Sequence, residues 1–243
     1  MRVSVVVPAF NEEKLLPATL ASIHAALRSF ESRGWAWELI VCDNNSTDGT
    51  AEAARKAGAR VVFEPVNQIA RSRNTGAAAA TGDWLIFVDA DSQPSPELFA
   101  EVADCIQSGR YVAGGCIVRM DERRWIADFL TGLWNFLSRL RLCTWFAGSF
   151  SFCEARAFRE VGGFNQELYA SEEIDLSKRL NKLARREGKR MIILHRHPLI
   201  TSARKLRLYS GAELLGFMRR AVFSPRATVT SREACSPWYD GRR

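Results

Sequence analysis

Val3-Ser4-Val5-Val6-Val7 is a short β-branched run closed by Pro8 and Asn11, and it reads as a buried parallel strand. Leu15, Leu16, Leu20, Ile23, Leu27 and Phe30 then recur at three- and four-residue steps, the stripe of an amphipathic helix. The alternation continues. Strands are predicted over 37–42, 59–63 and 84–88, and helices over 51–57 and 70–80, closed by Gly58 and Gly82. Strand–helix alternation of this kind predicts an α/β fold with a doubly wound, mostly parallel central sheet and helices on both faces.

The second half is less regular. A helix is predicted over 96–106 and an extended segment over 111–119. Residues 123–142 carry a strongly apolar helical pattern through Trp125, Phe129, Leu133, Trp134, Leu137 and Leu140. A strand over 145–153 and a short helix over 154–162 follow. The helix over 172–186 opens acidic and closes basic, matching the helix dipole. Residues 205–222 read as a final basic amphipathic helix. No repeat or linker interrupts the chain, so one domain is expected over 1–204, with a basic C-terminal helix and tail (205–243) packed on or near it.

Composition narrows the class. With 47% hydrophobic and 25% charged residues, the 243-residue chain can bury a core, which excludes a disordered, collagen-like or disulfide-miniprotein reading. No apolar run reaches the ~18–20 residues of a membrane span, and the chain moves from Met1-Arg2 straight into a strand. Neither a membrane anchor nor a cleaved signal peptide is expected. Six cysteines without CxxC spacing read as reduced core residues of a cytoplasmic protein. The net charge of +7 favours anionic partners such as phosphates, nucleotides or acidic lipid.

In a doubly wound sheet, ligands sit beyond the carboxyl ends of the strands. Three early strand ends carry polar clusters: Pro8 to Glu13, Asp43 to Thr50, and Asp89-Ala90-Asp91. One site built from all three is the economical reading. Two carboxylates two residues apart, just past the Trp-Leu-Ile-Phe-Val strand, suit Mn²⁺ or Mg²⁺, which take oxygen ligands and share them with a diphosphate. Asp43 could accept from a base N–H or a ribose hydroxyl, or cap its own turn. Arg71 and Arg73 open a helix where a phosphate could bind. Glu172, Glu173 and Asp175 are either dipole-matching residues or the source of a general base. His195 and His197 flank Arg196 in an extended stretch, so one of them could complete a metal shell with Asp91, whereas His24 reads as structural. Neither GxGxxG nor GxxxxGK[ST] occurs, which disfavours a dinucleotide cofactor and a P-loop.

Together these segments resemble the family-2 glycosyltransferases of GT-A fold over roughly residues 3–200. The opening strand and Pro8-Ala9-Phe10-Asn11-Glu12 turn, the Asp43-to-Thr50 turn, Arg73-Asn74-Thr75-Gly76, Asp89-Ala90-Asp91, Gly162-Gly163-Phe164 and Glu172-Glu173-Ile174-Asp175 stand in the family's order. The resemblance implies inverting transfer of a sugar from a UDP-, GDP- or dTDP-sugar to an acceptor hydroxyl or phosphate. Pro8, Phe10, Asn11, Glu12, Asp43, Arg73, Asp89 and Ala90 would then hold the nucleotide-sugar, with Arg73 near the donor phosphates. Asp91, with Asp89 and His197, would hold Mn²⁺ or Mg²⁺. Glu173 would be the base by alignment, with Glu172 and Asp175 as the other candidates. The chain departs from the family at Asn44, where a second Asp is common, and at Glu173, where the late motif usually has Asp.

The acceptor stays open, and a lipid-linked one is allowed by the apolar and basic helices of the second half. They would place the protein peripherally on the cytoplasmic face of a membrane. The competing reading is a non-catalytic nucleotide-sugar or nucleic-acid binding module. Dispersed basic residues and the lack of RNP, KH or zinc-finger patterns argue against a nucleic-acid partner. A nucleotidyltransferase on a related fold lacks its glycine-rich phosphate loop here.

Overall fold

The computed structural model describes residues 1–122, 132, 145–204, 208, 225–235 and 239. Its first half alternates β1 (Arg2–Ala9), α1 (Leu16–Glu31), β2 (Ala36–Asp43), α2 (Thr50–Lys56), β3 (Arg60–Phe63), α3 (Ile69–Ala79) and β4 (Trp84–Val88). Then come β5 (Ser92–Gln93), α4 (Pro96–Gln107), β6 (Tyr111–Met120), β7 (Phe150–Glu154), α5 (Ala155–Glu160), α6 (Glu172–Arg186), β8 (Arg190–Thr201) and α7 (Pro225–Val229). The expected helices over 123–142 and 205–222 lie outside the described residues.

One eight-stranded sheet runs β3-β2-β1-β4-β7-β6-β8-β5. Its first four strands are parallel, with Val5 opposite both Leu39 and Ile86. Past β4 the direction changes, because β7 pairs antiparallel to both β4 and β6. The expected strand over 145–153 therefore begins only at Phe150. Residues before it form a loop, and Asp89 N donates to Ser149 O (3.1 Å) at the junction.

Alternating side chains feed two cores, as a sheet covered on both faces requires. Val3, Val5 and Val7 of β1, with Trp84, Ile86 and Val88 of β4, pack against Leu20, Leu27 and Phe30 of α1 and Phe99 of α4. Val6, Leu85 and Phe87 point the other way, toward Ala70 and Ala77 of α3, Phe158 of α5 and Leu176 and Leu180 of α6. Local chemistry sets the helix positions. Ser95 Oγ accepts from Leu98 N (3.2 Å) and Pro96 opens α4, a capped start. Gly76 lets α3 lie close on β1, since a Cβ there would meet Val6 Cγ1 at 2.4 Å. The five described cysteines are buried and unpaired by disulfide, and burial pushes Cys42 and Cys105 up to about 11.

Candidate active site

The three early strand ends meet in one cleft. It is lined by Pro8, Ala9 and Phe10 from the end of β1, Asn44 after β2, Asp89, Ala90 and Asp91 after β4, and Glu12, Ile69 and Ser72 beside them. Arg204, just beyond β8, and Tyr239 from the tail complete the wall. A second cavity, of about 210 Å³, opens next to the first and shares Asp89 and Ile69 with it. Its other walls are Arg73, Gly148, Ser149, Tyr169, Ala170, Ser171, Glu172 and Glu173.

The turn after β1 and the turn after β2 are stitched together by their own polar groups. Asn11 N donates to Ser46 Oγ (3.0 Å), Glu12 N to Thr50 Oγ1 (2.8 Å) and Glu13 N to Asp48 Oδ2 (3.2 Å). In return, Thr47 N donates to Asn11 Oδ1 (2.8 Å) and Gly49 N to Glu13 Oε2 (2.9 Å). Asn11 does this from a left-handed backbone (φ 52°), a conformation asparagine tolerates better than most residues. Asn11, expected among the nucleotide-sugar residues, is thus a clamp between two loops and does not line the cleft.

Asp43 takes the turn-capping arrangement that the sequence left open. Its Oδ1 accepts from Ser46 N (3.0 Å), closing an Asx turn, and it is absent from the cleft wall. Its neighbour Asn44 takes the wall position. The buried Asn44 amide donates through Nδ2 to Val66 O (2.6 Å) and Glu64 O (3.2 Å), while its Oδ1 accepts from Gln68 N (2.9 Å). An aspartate could not make the first two bonds, which gives the departure from the family pattern a physical cause.

Arg73 was expected near donor phosphates, but its guanidinium is occupied. Buried at 2% exposure, it donates to Glu172 Oε1 (2.6 Å), Asp89 Oδ1 (2.9 Å) and Gly148 O (2.7 Å), and it lies 5.2 Å from the Phe164 ring centroid. Burial disfavours its charge, yet Asp89 and Glu172 more than offset that and hold its pKa above the ordinary arginine value. It joins the cleft to the second cavity. Asn74, the next residue, holds the Gly162-Gly163-Phe164 turn through Nδ2 to Phe164 O (2.8 Å), and Phe164 N donates back to Asn74 Oδ1 (2.9 Å).

The late acidic residues separate by partner. Glu172 is bound to Arg73. Asp175 accepts from Arg179 Nε (2.9 Å), and Arg179 Nη2 also donates to Gly163 O (2.7 Å), so that carboxylate braces the glycine turn. Glu173 lines the second cavity and is pushed up to about 8. Burial is the main cause and the Glu172 charge adds to it, against the pull of Arg73. Ser171, just before it, has φ 64°, the left-handed region that side chains other than glycine, Asn or Asp seldom enter.

Asp91 and Asp89 are the carboxylates at the lip of the cleft, and both expose side-chain surface, at 15% and 33%. Among the described residues no three His, Cys, Asp or Glu converge as a metal cage. Two hard oxygen donors beside an open cleft fit Mn²⁺ or Mg²⁺, which keep water and phosphate oxygens as further ligands. His197 is not part of this wall. It sits half-exposed on β8, so the expected third metal ligand is not brought to Asp91. His195 borders a separate groove with Glu101 and Tyr111.

Among the wall residues that escaped the sequence reading are Arg204 and Tyr239. Arg204 donates through Nη1 to Glu12 Oε2 (2.9 Å) and through Nη2 to Glu12 Oε1 (2.5 Å), with Nη2 3.8 Å from Asp91. Tyr239 accepts from Ile69 N through its hydroxyl (3.3 Å) and meets Tyr169 edge-on at 5.3 Å between ring centroids. Neither lies in a motif. Arg204 follows an ordinary strand, and Tyr239 sits in a tail whose sequence shows only charge and scattered aromatics.

A parallel half-sheet whose strand tips carry paired carboxylates beside an open cleft is the arrangement of the GT-A class of glycosyltransferase folds. Residues 4–161 match the family described as Glycosyl transferase family 2, more than half of the chain, and the chain belongs to that family. A glycosyltransferase of Mycobacterium tuberculosis, itself uncharacterized, is 38% identical over 120 residues, covering 46% of this chain and 50% of the relative. The dolichol-phosphate mannosyltransferase of Pyrococcus furiosus is 32% identical over 130 residues, covering 47% of this chain and 35% of that protein. The match thus spans half or less of these curated relatives' length. Among solved structures, a mannosyltransferase of Pyrobaculum calidifontis in complex with GDP-Man and Mn²⁺ superposes with TM-score 0.71 at 19% identity, covering 98% of this chain and 67% of that one. Its likeness supports the fold.

Proposed function

We propose that the chain catalyses inverting transfer of a sugar from a nucleotide-diphosphate donor to an acceptor hydroxyl, with a divalent cation at Asp91 and Asp89. One observation carries the reading: a single late carboxylate, Glu173, is left unspent by the arginines and faces a cavity that shares Asp89 with the cleft bearing Asp91. Donor on one side of Asp89 and acceptor on the other is the arrangement a displacement at the anomeric carbon needs.

Pro8, Phe10 and Asn44 would line the nucleoside end of the cleft, and Asp89 and Asp91 its diphosphate end. Mn²⁺ or Mg²⁺ there would supply a Lewis acid that neutralises charge on the departing diphosphate. Arg73 would hold Asp89 and Glu172 in fixed positions on either side of the reacting centre, and it is too buried to reach the donor. Glu173 would take the proton of the acceptor hydroxyl as that oxygen attacks from the face opposite the leaving group. A carboxylate raised toward neutrality is a stronger base than an ordinary one.

The walls also favour the kind of acceptor. Asp89 and Glu172 outnumber the one guanidinium in the second cavity even while Glu173 holds its proton, so a phosphate dianion would be repelled where a hydroxyl is not. A phosphate acceptor, moreover, is already ionised near neutral pH and needs no base. The relative named for dolichol phosphate keeps a lipid-phosphate acceptor as the second reading.

The test is a thermal-shift screen of UDP-, GDP- and dTDP-sugars with Mn²⁺ or Mg²⁺, followed by transfer assays on whichever donor shifts the melting point. A metal-dependent shift with one donor class and turnover onto hydroxyl acceptors is expected. No shift with any donor, or binding of oligonucleotides in its place, overturns the proposal.

A further inference from the structure

The cations of α6 fall into two sets. Arg179 is bound to Asp175 and to Gly163 O, and Arg186 to Glu160, so these serve the fold. Lys178, Lys182 and Arg185 stand at i, i+4 and i+7, one face of the helix, and all three are exposed. None has an acidic partner among the described residues. Trp145 joins them: Lys178 Nζ lies 5.4 Å from its ring centroid, and a shallow groove is walled by Trp145, Lys178, Asn181, Lys182 and Arg185. Opposite this stripe, Leu176, Leu180, Leu183 and Ala184 are buried, so the helix is already anchored by its other face.

Elsewhere on the described surface, some exposed arginines and lysines sit in ion pairs. Arg156 meets Glu154, Glu160 and Glu187, and Lys56 meets Glu52. Three unmatched cations in line, with an indole at their edge, make a surface of a different kind. An ordinary solvated helix face would not need the tryptophan.

The stripe also lies next to the acceptor cavity. Phe146 N donates to Ser177 Oγ (3.4 Å), which lays the Trp145–Ser149 segment along α6, and Gly148 and Ser149 at its far end line the cavity with Glu173. Glu173 and Lys178 are five positions apart, about 8 Å along the helix axis and about 140° around it, so the stripe and the cavity open on different sides of α6 and are joined through the Trp145–Ser149 segment.

We infer that the Trp145–Lys178–Lys182–Arg185 face docks on an anionic phospholipid surface, with the acceptor cavity one short segment away. Phosphate headgroups match the three cations, and the amphipathic indole suits the headgroup boundary. The described helices include none long and apolar enough to cross a membrane, so this contact is peripheral. Its bearing on acceptor choice rests on the transferase reading above, but the binding itself needs neither donor nor turnover.

The experiment is co-sedimentation of the full chain with phosphatidylcholine vesicles containing 0 to 60% phosphatidylglycerol, without donor or metal. Binding should rise with anionic lipid and fall with salt. The triple variant Lys178→Gln, Lys182→Gln, Arg185→Gln should lose affinity on the order of a hundredfold, at roughly fivefold per cation. The matched control Arg28→Gln, Arg55→Gln, Lys56→Gln removes the same charge from exposed positions on α1 and α2 and should bind as wild type does. Circular dichroism melts would verify that both triples fold. Background binding by the wild type, or equal losses in the two triples, overturns the docking face. Because donor-dependent thermal shifts are read without vesicles, failure of the docking face and failure of the transferase reading are told apart.

Discussion

Glu173→Gln should make the protein more stable and less active, with the stability gain confined to high pH. The folded state raises this carboxyl from 4.5 to about 8, so it holds its proton longer than the unfolded chain does. Its contribution to stability is full below about 4.5 and is lost as the pH climbs through 8. The whole shift corresponds to roughly 5 kcal/mol as a ceiling. Glu173 keeps some solvent contact and shares its proton equilibrium with Glu172, which brings the expected cost of ionisation to about 1–2 kcal/mol at pH 9. Glutamine is never charged and is close in shape to the protonated acid. Urea denaturation of wild type and variant at pH 5 and pH 9 measures the difference, expected near zero at the first and about 1–2 kcal/mol in favour of the variant at the second. Turnover should fall about 10²–10⁴-fold. In the wild type, kcat/KM should rise with pH toward about 8 and then level, because the working form is the deprotonated one. Equal stability differences at both pH values would refute the burial argument, and wild-type turnover in the variant would refute the base assignment.

Other perturbations separate holding residues from reacting ones. Asp91→Asn should abolish transfer with the melting temperature nearly unchanged, since Asp91 stands at the lip of the cleft and Arg204 Nη2 is as far as 3.8 Å from it; equal rates with and without EDTA would remove the metal from the account. Arg73→Ala should cost about 3–5 kcal/mol in urea denaturation, because it strands the buried Glu172. A variant that melts normally and shows only a raised donor KM would restore Arg73 as a phosphate ligand. Asn44→Asp should cost about 1–3 kcal/mol by turning an acceptor toward Val66 O and Glu64 O, and a neutral result in the same titration would mean those bonds are dispensable.

The parallel half of the sheet was readable because hydrophobic alternation is a local property. Val3, Val5 and Val7 against Val6, and Ile86 against Leu85 and Phe87, already divide the two cores. Strand direction is not local. Nothing in Phe150–Glu154 signals that it runs against β4, since apolar strands of either sense have the same composition. The same limit explains the site. Which strand tips meet follows from topology, so Pro8, Phe10, Glu12, Asp89, Ala90 and Asp91 could be placed. Whether a polar residue faces ligand or protein depends in several cases on partners far along the chain, Thr47 for Asn11 and Glu172 for Arg73, whereas Asp43 caps its own turn at Ser46. Arg204 and Tyr239 reach the cleft only through tertiary packing.

Partner choice also gives the late acidic motif its meaning. Three carboxylates at one helix start are equivalent to the dipole, and spacing alone leaves them so. Arg73 and Arg179 break the tie by neutralising Glu172 and Asp175, and each arginine reaches back to fix another loop, Gly148 in one case and Gly163 in the other. The charge on Glu172 then disfavours a second charge beside it, which is part of what raises Glu173. The arginine that secures the neighbour thereby helps set the strength of the base. Because Arg73 also holds Asp89, a change at the diphosphate end of the cleft is felt at Glu173 through one rigid side chain. With donor and base placed as proposed, donor binding should alter the strength of Glu173, and a donor-saturated enzyme should show a kcat pH profile displaced from that of kcat/KM.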